Sequence, residues 1–431
     1  MMNLTTNHVA NGLRQDTIEN RISYAHIVCF LVTFPFHRFY SEMVLISFLL
    51  HTLIHTRRHD WQRLWRPELL ILSSFFLLNL LGIMWTTDRS AALRDLERQL
   101  ALLLFPVLFL LTHLNLLQYR KPILLTAGIT AAGVILYLYA DALRIILYNH
   151  LPLKTIISSS FIHHNFSEPL GIHATYLSLY VAVSLAVFMY YLPRERNPLL
   201  GWVYGFLMLL LLAGLVQLAS KAVLLATIFF TFAGVPFFIG DRTARIRFLS
   251  IAGVMLVLLL IVILRVQSFE KRYIHEFRND LLPDNMVSAS SESRLQRWQL
   301  GLDFIEKKTV LGYGSGMEKK LLQDAYFKRK MYVAYINELN LHNEYLSLWL
   351  KTGLLGLLVA CATLLMGFFE AVRNRDFIFF AFLSLLSVTF FSENVLDVNK
   401  GIFFCAFYFS FLYLSAPVRL QFRRPAGRQG G

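Results

Sequence analysis

The sequence predicts an all-α integral membrane protein with about twelve transmembrane helices. Three observations carry this. The 431 residues are 56% hydrophobic and only 16% charged, against roughly 25% charged in an ordinary globular domain. The mean hydropathy is +0.53. The apolar residues also come in blocks, many close to the ~20 residues that cross ~30 Å of hydrocarbon. A soluble fold of this composition would leave too much apolar surface in water.

Taken in order, the candidate spans fall near 22–37, 39–55, 68–86, 98–112, 122–141, 172–192, 199–218, 222–240, 248–266, 344–369, 376–391 and 401–416. Three regions follow. Residues 1–266 hold the spans before a large loop, 267–343 is that loop, and 344–431 holds the last spans and a basic tail. Residues 1–20 are polar, which predicts no cleavable signal and a first span that inserts by itself. Cys29, Cys361 and Cys405 lie in apolar runs without ligand spacing, so neither a disulfide nor a metal site is expected.

Orientation follows from charge. Arg57, Arg58, Arg63 and Arg66, then Arg194 and Arg196, Arg242, Arg245 and Arg247, Arg373 and Arg375 all fall on one side of the predicted bundle. So do Arg419, Arg423, Arg424 and Arg428 of the tail. That side is the cytoplasm, with both termini. The formal charge of +14 is then a loop bias and not a nucleic-acid footprint. The opposite side holds "TTDRSAALRDLERQ", whose helical spacing suits a helix lying flat in the interface. It also holds 142–171, a tight turn at "ASKA" 219–222, and the loop 267–343. That loop is long enough for small helices of its own. It is rich in Lys and Arg, among them Arg272, Arg294, Arg297, Lys307 and Lys308. Long loops cross regardless of charge, so the external surface is cationic and suits an anionic ligand such as a phosphate.

Several constellations can carry chemistry. In "LHNEYLSLWLKTGLLG", His342 and Asn343 stand at the mouth of an apolar run. Residues 342, 346, 349 and 353 would share one helix face, and Gly353 and Gly356 have the character of a close helix contact. His342 reads as a general base, because an imidazole titrates near operating pH, or else as an interfacial histidine beside an N-cap. In "SESRLQRW", Arg294, Arg297 and Trp298 can share a face; arginine forks suit phosphate oxygens, and a solvated basic helix is the plain alternative. Lys221 in "LASKAVLL" is a charge between two apolar runs, either functional or snorkelling to the interface. "GYGSG" 312–316 can let backbone approach closely but matches no P-loop or dinucleotide fingerprint; a plain turn also explains it. "HHNFSEPLGIHATY" brings His163, His164 and His173 to one span entrance without zinc spacing. "FFSENVLDVNKG" places Glu393, Asp397 and Lys400 in the last external loop, where an ion pair or a cap accounts for them.

Together these pieces resemble a known family. An arginine with a tryptophan four residues on, a Gly-x-Gly-x-Gly turn, then His-Asn, nine residues and Gly-x-x-Gly resemble the O-antigen ligase and polymerase superfamily. Here the residues are Arg294, Trp298, 312–316, His342, Asn343, Gly353 and Gly356. The roughly twelve-span plan with a large external loop before the tenth span is similar too, so the likeness covers essentially the whole chain. It implies a metal-independent, GT-C-like membrane glycosyltransferase without cofactor, acting on a polyprenyl-diphosphate-linked glycan at the periplasmic face of the bacterial inner membrane. In the ligases the glycan moves to a sugar hydroxyl of lipid A–core. The resemblance assigns acceptor activation to His342 and the donor diphosphate to Arg294. The second family arginine follows a serine; here the pair is Ser220-Lys221, a departure that keeps the charge and loses the bidentate fork. Arg297, Asn343 and His173 are expected to line the substrate.

The chemistry fits those residues. The periplasm supplies no nucleotide sugars, so the donor must arrive activated, and a diphosphate leaving group provides this. Transfer needs cations at the developing phosphate charge, a base for the hydroxyl and a cleft open to lipid. The sequence leaves open ligation to lipid A–core, polymerisation on the carrier, and transfer to protein hydroxyls. A lipid-linked glycan transporter is the non-enzyme alternative, but it would show related halves and polar groups near mid-membrane, and neither stands out.

Overall fold

The protein is described by a computed structural model covering residues 15–281 and 293–417. The tail arginines at 419 to 428, and Ser291 and Glu292 ahead of Arg294, lie outside the described residues. Within them the chain is helical, with no strand. The principal helices are α1 (Ile18–Thr33), α2 (Arg38–His55), α3 (Pro67–Leu72), α4 (Ser74–Gly82), α5 (Arg89–Arg98), α6 (Ala101–Leu111), α7 (Arg120–Tyr148) and α8 (Ala174–Tyr191). They continue with α9 (Pro198–Leu218), α10 (Lys221–Phe229), α11 (Arg242–Arg265), α12 (Arg294–Lys307), α13 (Met317–Lys328), α14 (Glu344–Arg373), α15 (Phe377–Phe390) and α16 (Asn399–Leu414).

Six helices among the described residues are long and apolar enough to cross a membrane: α7, α8 with its C-terminal turn, α9, α10 extended to Phe238, α11 and α14. The other expected segments are helical too but fall short of that standard. The segment expected at 68–86 divides at Ser73 into α3 and α4. α6 keeps Pro106 inside an 11-residue helix.

α8 forms the axis of the bundle. Every residue from Ala174 to Phe188 is buried, against α7, α9, α15 and α16. Its polar groups find partners within the helix and on its neighbours: Ser178 Oγ donates to Ala174 O at 2.8 Å, and Tyr180 Oη to Leu31 O of α1 at 2.9 Å. At the far end, Arg120 binds Asp376 at 2.5 Å and donates to Ser415 O at 2.8 Å, tying α7 to α15 and α16. A buried pair of this kind is costly to break, because one partner would be left uncompensated. α11 is the opposite case and buries only Ile263.

The loop carries helices of its own, α12 and α13, as its length implied. α14 departs from expectation. It starts at Glu344, with Asn343 as N-cap, and it is broken at Thr352 (φ −120°) and Gly353 (φ +67°, ψ −163°). His342 therefore does not stack above Leu346, Trp349 and Gly353 on one helix face. It precedes the helix in a left-handed conformation, φ +47°, which is uncommon for a non-glycine residue. Nor is Gly353 a helix-packing glycine. A Cβ there would collide with the carbonyl of Val310, because the segment 309–314 is bonded into the break: Leu354 N donates to Thr309 O at 2.9 Å, Tyr313 N to Leu350 O at 2.9 Å and Gly314 N to Lys351 O at 2.8 Å. The "GYGSG" turn continues to α4, where Ser315 Oγ donates to Asn79 O at 2.7 Å. Its glycines are needed for close backbone approach: Gly312 meets the break in α14, Gly314 meets Thr86, and Gly316 meets Ala91 and Ala92 of α5.

Candidate functional site

The site lies at the end of the bundle where α8, α10 and α14 begin. Two polar clusters meet there. The first is built on the α15–α16 connection. Glu393 Oε2 accepts from His342 Nδ1 at 3.0 Å, and its Oε1 lies 3.7 Å from Arg294 Nη2. Arg294 and His342, 48 positions apart in the sequence, thus converge on one carboxylate. The two outer side chains keep 29% and 23% of their surface open, while Glu393 keeps 11%; the first two can touch a substrate and the acid is their support. Burial pushes the Glu393 carboxyl up, but the His342 hydrogen bond and the charges of His342 and Arg294 outweigh it and hold it below its ordinary value. An ionised carboxylate only accepts, so His342 Nδ1 donates this bond, and in the neutral ring Nε2 is the acceptor nitrogen.

A second layer positions this pair. Trp298 Nε1 donates to Leu341 O at 3.0 Å, which is how the Arg-x-x-x-Trp spacing serves the site: one residue reaches Glu393, and the other holds the backbone just before His342. Asn394 Oδ1 accepts from Asn343 N at 2.8 Å. Asn394 Nδ2 donates to Glu318 Oε1 at 3.1 Å and to Asp397 Oδ2 at 2.8 Å. Glu318 also accepts from Leu341 N at 3.2 Å and from Ser347 Oγ. Lys351 closes the network, 2.8 Å from Asp397 and 3.4 Å from Glu318. Asn343 is buried and its side chain caps α14, accepting from Leu346 N at 3.1 Å. Arg297 is buried on α12.

The second cluster gathers Lys221, Arg272 and the three histidines. Lys221 opens α10 after Ala219, which takes φ +47° to make the tight turn. Its Nζ lies 5.8 Å from the Phe277 ring centre. Arg272 sits in a π turn, Lys271–His275, a feature that often re-aims side chains at functional sites. Arg272 binds Glu276 and donates to His163 Nε2. The His163 and His164 rings are 3.8 Å apart and those of His164 and His173 4.1 Å. Gln217 holds this loop, donating to Ile156 O at 2.7 Å, while its own carbonyl accepts from His163 N at 2.9 Å. Burial first, then the charge of Arg272, depresses His163 to about 2, and Lys221 adds to the effect. His164 is lowered by the same two leading causes. These imidazoles stay neutral beside the two cations. His173, the N-cap of α8, joins the clusters: its ring packs on Tyr176 at 5.5 Å, and Tyr176 Oη reaches Asn394 O at 3.5 Å.

Sequence reading singled out Arg294, His342, Lys221, Arg297, Asn343 and His173, and it weighed Glu393 and Asp397 only as an ion pair or cap. It missed Glu318, Asn394, Lys351 and Arg272. Lys351 was the available signal, because a charge within the apolar run of α14 demands partners. Lys400, grouped with Glu393 by sequence, instead binds the carbonyls of Phe34 and Phe36 at the end of α1. Among the described residues, no three His, Cys, Asp or Glu side chains are grouped to hold a metal ion.

Comparison with known proteins adds two findings. An uncharacterized protein of Haemophilus influenzae (strain ATCC 51907 / DSM 11121 / KW20 / Rd) is 27% identical over 112 residues, 25% of this chain and 28% of that protein. The chain thus matches little more than a quarter of that relative's length. Residues 206–361 match the family described as O-antigen ligase. That segment contains Lys221, Arg272, Arg294, His342, Asn343 and both glycines of Gly-x-x-Gly; Glu393 and the three histidines lie outside it. Over this segment the chain is similar to the O-antigen ligase family, within the ligase and polymerase superfamily that the ordered motifs resemble, and an enzyme of that membrane glycosyltransferase-like type is supported.

Proposed function

We propose that the protein transfers a glycan from a polyprenyl-diphosphate carrier to a sugar hydroxyl of lipid A–core, at the periplasmic face of the bacterial inner membrane. The observation that carries this reading is the convergence of Arg294 and His342 on Glu393. His342 Nε2 takes the proton of the acceptor hydroxyl. The hydroxyl oxygen bonds to the anomeric carbon of the donor sugar, the bond from that carbon to the diphosphate oxygen breaks, and the electron pair leaves with the diphosphate. Arg294 faces the charge that develops there. Lys221 and Arg272 hold the diphosphate from the second cluster. Arg272 supplies the bidentate fork that the lysine at 221 lacks. Asn343 and Asn394 orient the His342–Glu393 pair, His173 borders the substrate, and the buried Arg297 stands behind the site on α12.

The test is a gel of lipopolysaccharide, run beside carrier-linked glycan, from cells lacking the gene. Long chains held on the carrier with bare core on the gel are expected. Core bearing a single repeat unit would replace ligation with polymerisation. An unchanged pattern would remove both and leave a protein acceptor, another glycan or transport.

A further inference from the structure

Helix α12 has one end in the site and the other at a loop tip that the reaction does not use. Arg294 opens it, and Lys307 closes it about 20 Å away at 1.5 Å per residue. The first turns of α14 run alongside in the same direction. Trp298 fixes the top to Leu341. At the bottom, Trp349 Nε1 donates to Thr309 O at 3.1 Å, and Leu354 N donates to the same carbonyl. Between them projects Lys307-Lys308-Thr309-Val310-Leu311, exposed throughout.

Val310 and Leu311 leave 69% and 62% of their surface uncovered. In water, each would forgo roughly 1.5–3 kcal/mol of burial. Their surroundings say that the solvent is lipid. The tip is bonded to the break in α14, and the outward apolar face of that helix starts there, with Leu354, Leu355, Leu358, Leu365 and Phe369 all exposed. From Leu354 to Phe369 is about 23 Å, most of the hydrocarbon thickness. The break therefore marks the hydrocarbon edge. Val310 and Leu311 continue the lipid face beyond it, and Trp349 stands at the level that interfacial tryptophans favour. Lys307 and Lys308 lie on the adjacent turn, with Nζ 5.9 Å from the Phe304 ring centre and 4.8 Å from that of Tyr313. This is the arrangement of amphipathic side chains that keep the stem in apolar surroundings and the charge at the headgroups.

We propose that Lys307–Leu311 is an interfacial anchor: Val310 and Leu311 enter the bilayer edge, and Lys307 and Lys308 take phosphates of anionic phospholipids. With α12 as a strut, the anchor sets the height of the Arg294–His342 cluster above the lipid. The inference rests on α14 as a membrane span and not on the glycan reading, and its test does not use transfer. The full chain with Cys29→Ser, Cys361→Ser and Cys405→Ala is reconstituted in bilayers and labelled with a nitroxide at Val310→Cys, or at Lys319→Cys as reference. The label at 310 should collide more with oxygen than with a water-soluble nickel chelate, and the label at 319 should show the reverse. Equal chelate access at both positions overturns the insertion. Should the cysteine-free chain fail to fold, a photoreactive diazirine residue at Leu311 in the otherwise unchanged chain answers the same question: lipid adducts support insertion, and their absence overturns it. Native mass spectrometry of Lys307→Gln/Lys308→Gln should show at least a twofold loss of retained phosphatidylglycerol relative to phosphatidylcholine. Unchanged retention overturns the phosphate contact.

Discussion

The two polar clusters share one end of the bundle, but they are built on opposite electrostatic plans. Around His342 the cations face carboxylates: Arg294 and His342 face Glu393, and Lys351 faces Glu318 and Asp397. Around Lys221 the imidazoles are kept neutral, and Glu276 is the acid bound to Arg272. A compensated network with one open imidazole suits proton movement. Neutral imidazoles beside Lys221 and Arg272 add hydrogen-bonding surface without further charge, which suits an anion that comes and goes. The contrast teaches that cation content alone does not define a phosphate site; whether the neighbouring imidazoles carry charge matters as well.

Substitutions break or sharpen this contrast. The largest effect is expected from His342→Ala, with transfer falling at least 100-fold in kcat while the protein stays inserted and folded by gel filtration and melting; retained activity removes the general-base role. Arg294→Ala should cost roughly 100-fold in kcat/KM, and Arg294→Lys should recover part of it, measured in a reconstituted transfer assay. For the second cluster, Lys221→Ala and Arg272→Ala should each raise KM for the lipid-linked donor about tenfold with a smaller change in kcat, the sign of lost binding. Lys221→Arg should stay active. A fully active Lys221→Ala chain would take that residue out of the diphosphate site. Glu393→Gln should lower kcat about tenfold or less and leave donor KM near its starting value, since Glu393 acts through its partners. The smallest effect concerns pH. The folded pKa values of His163 and His164 lie below the unfolded one, so below about pH 6.5 the unfolded chain binds protons that the folded chain does not, and stability falls with pH. The melting temperature should drop from pH 7.5 to 5, and His163→Gln should flatten that slope.

Much of the site was legible in the sequence because its residues are chemically out of place. A histidine at an apolar mouth, an arginine and tryptophan four apart, and a lysine between two apolar runs each break the local pattern. Glu393 was visible but ambiguous, since an acid in a short polar loop is most simply a cap. Arg272 was one of many cations in the loop. Only its π turn and its contact with His163 separate it from the rest, and that contact joins segments over 100 residues apart.

What the sequence determined by itself is the class of protein, the helical segments and the order of the reactive residues, because apolar blocks of membrane length and misplaced charges are local facts. It did not determine which apolar helix lies inside. α8 with its last turn has mean hydropathy 1.6 and is 78% buried over its most apolar window, while α11 has 2.8 and is 6% buried. The more hydrophobic helix is the more exposed, because lipid tails are as apolar as a protein core and hydropathy cannot tell them apart. The small and hydroxyl side chains that let α8 pack on all sides lower its hydropathy. Tertiary structure alone decided the break at Gly353, the segment that fills it and the carboxylate that joins Arg294 to His342. Each of these is a contact between distant parts of the chain, and helical periodicity carries no information about such partners.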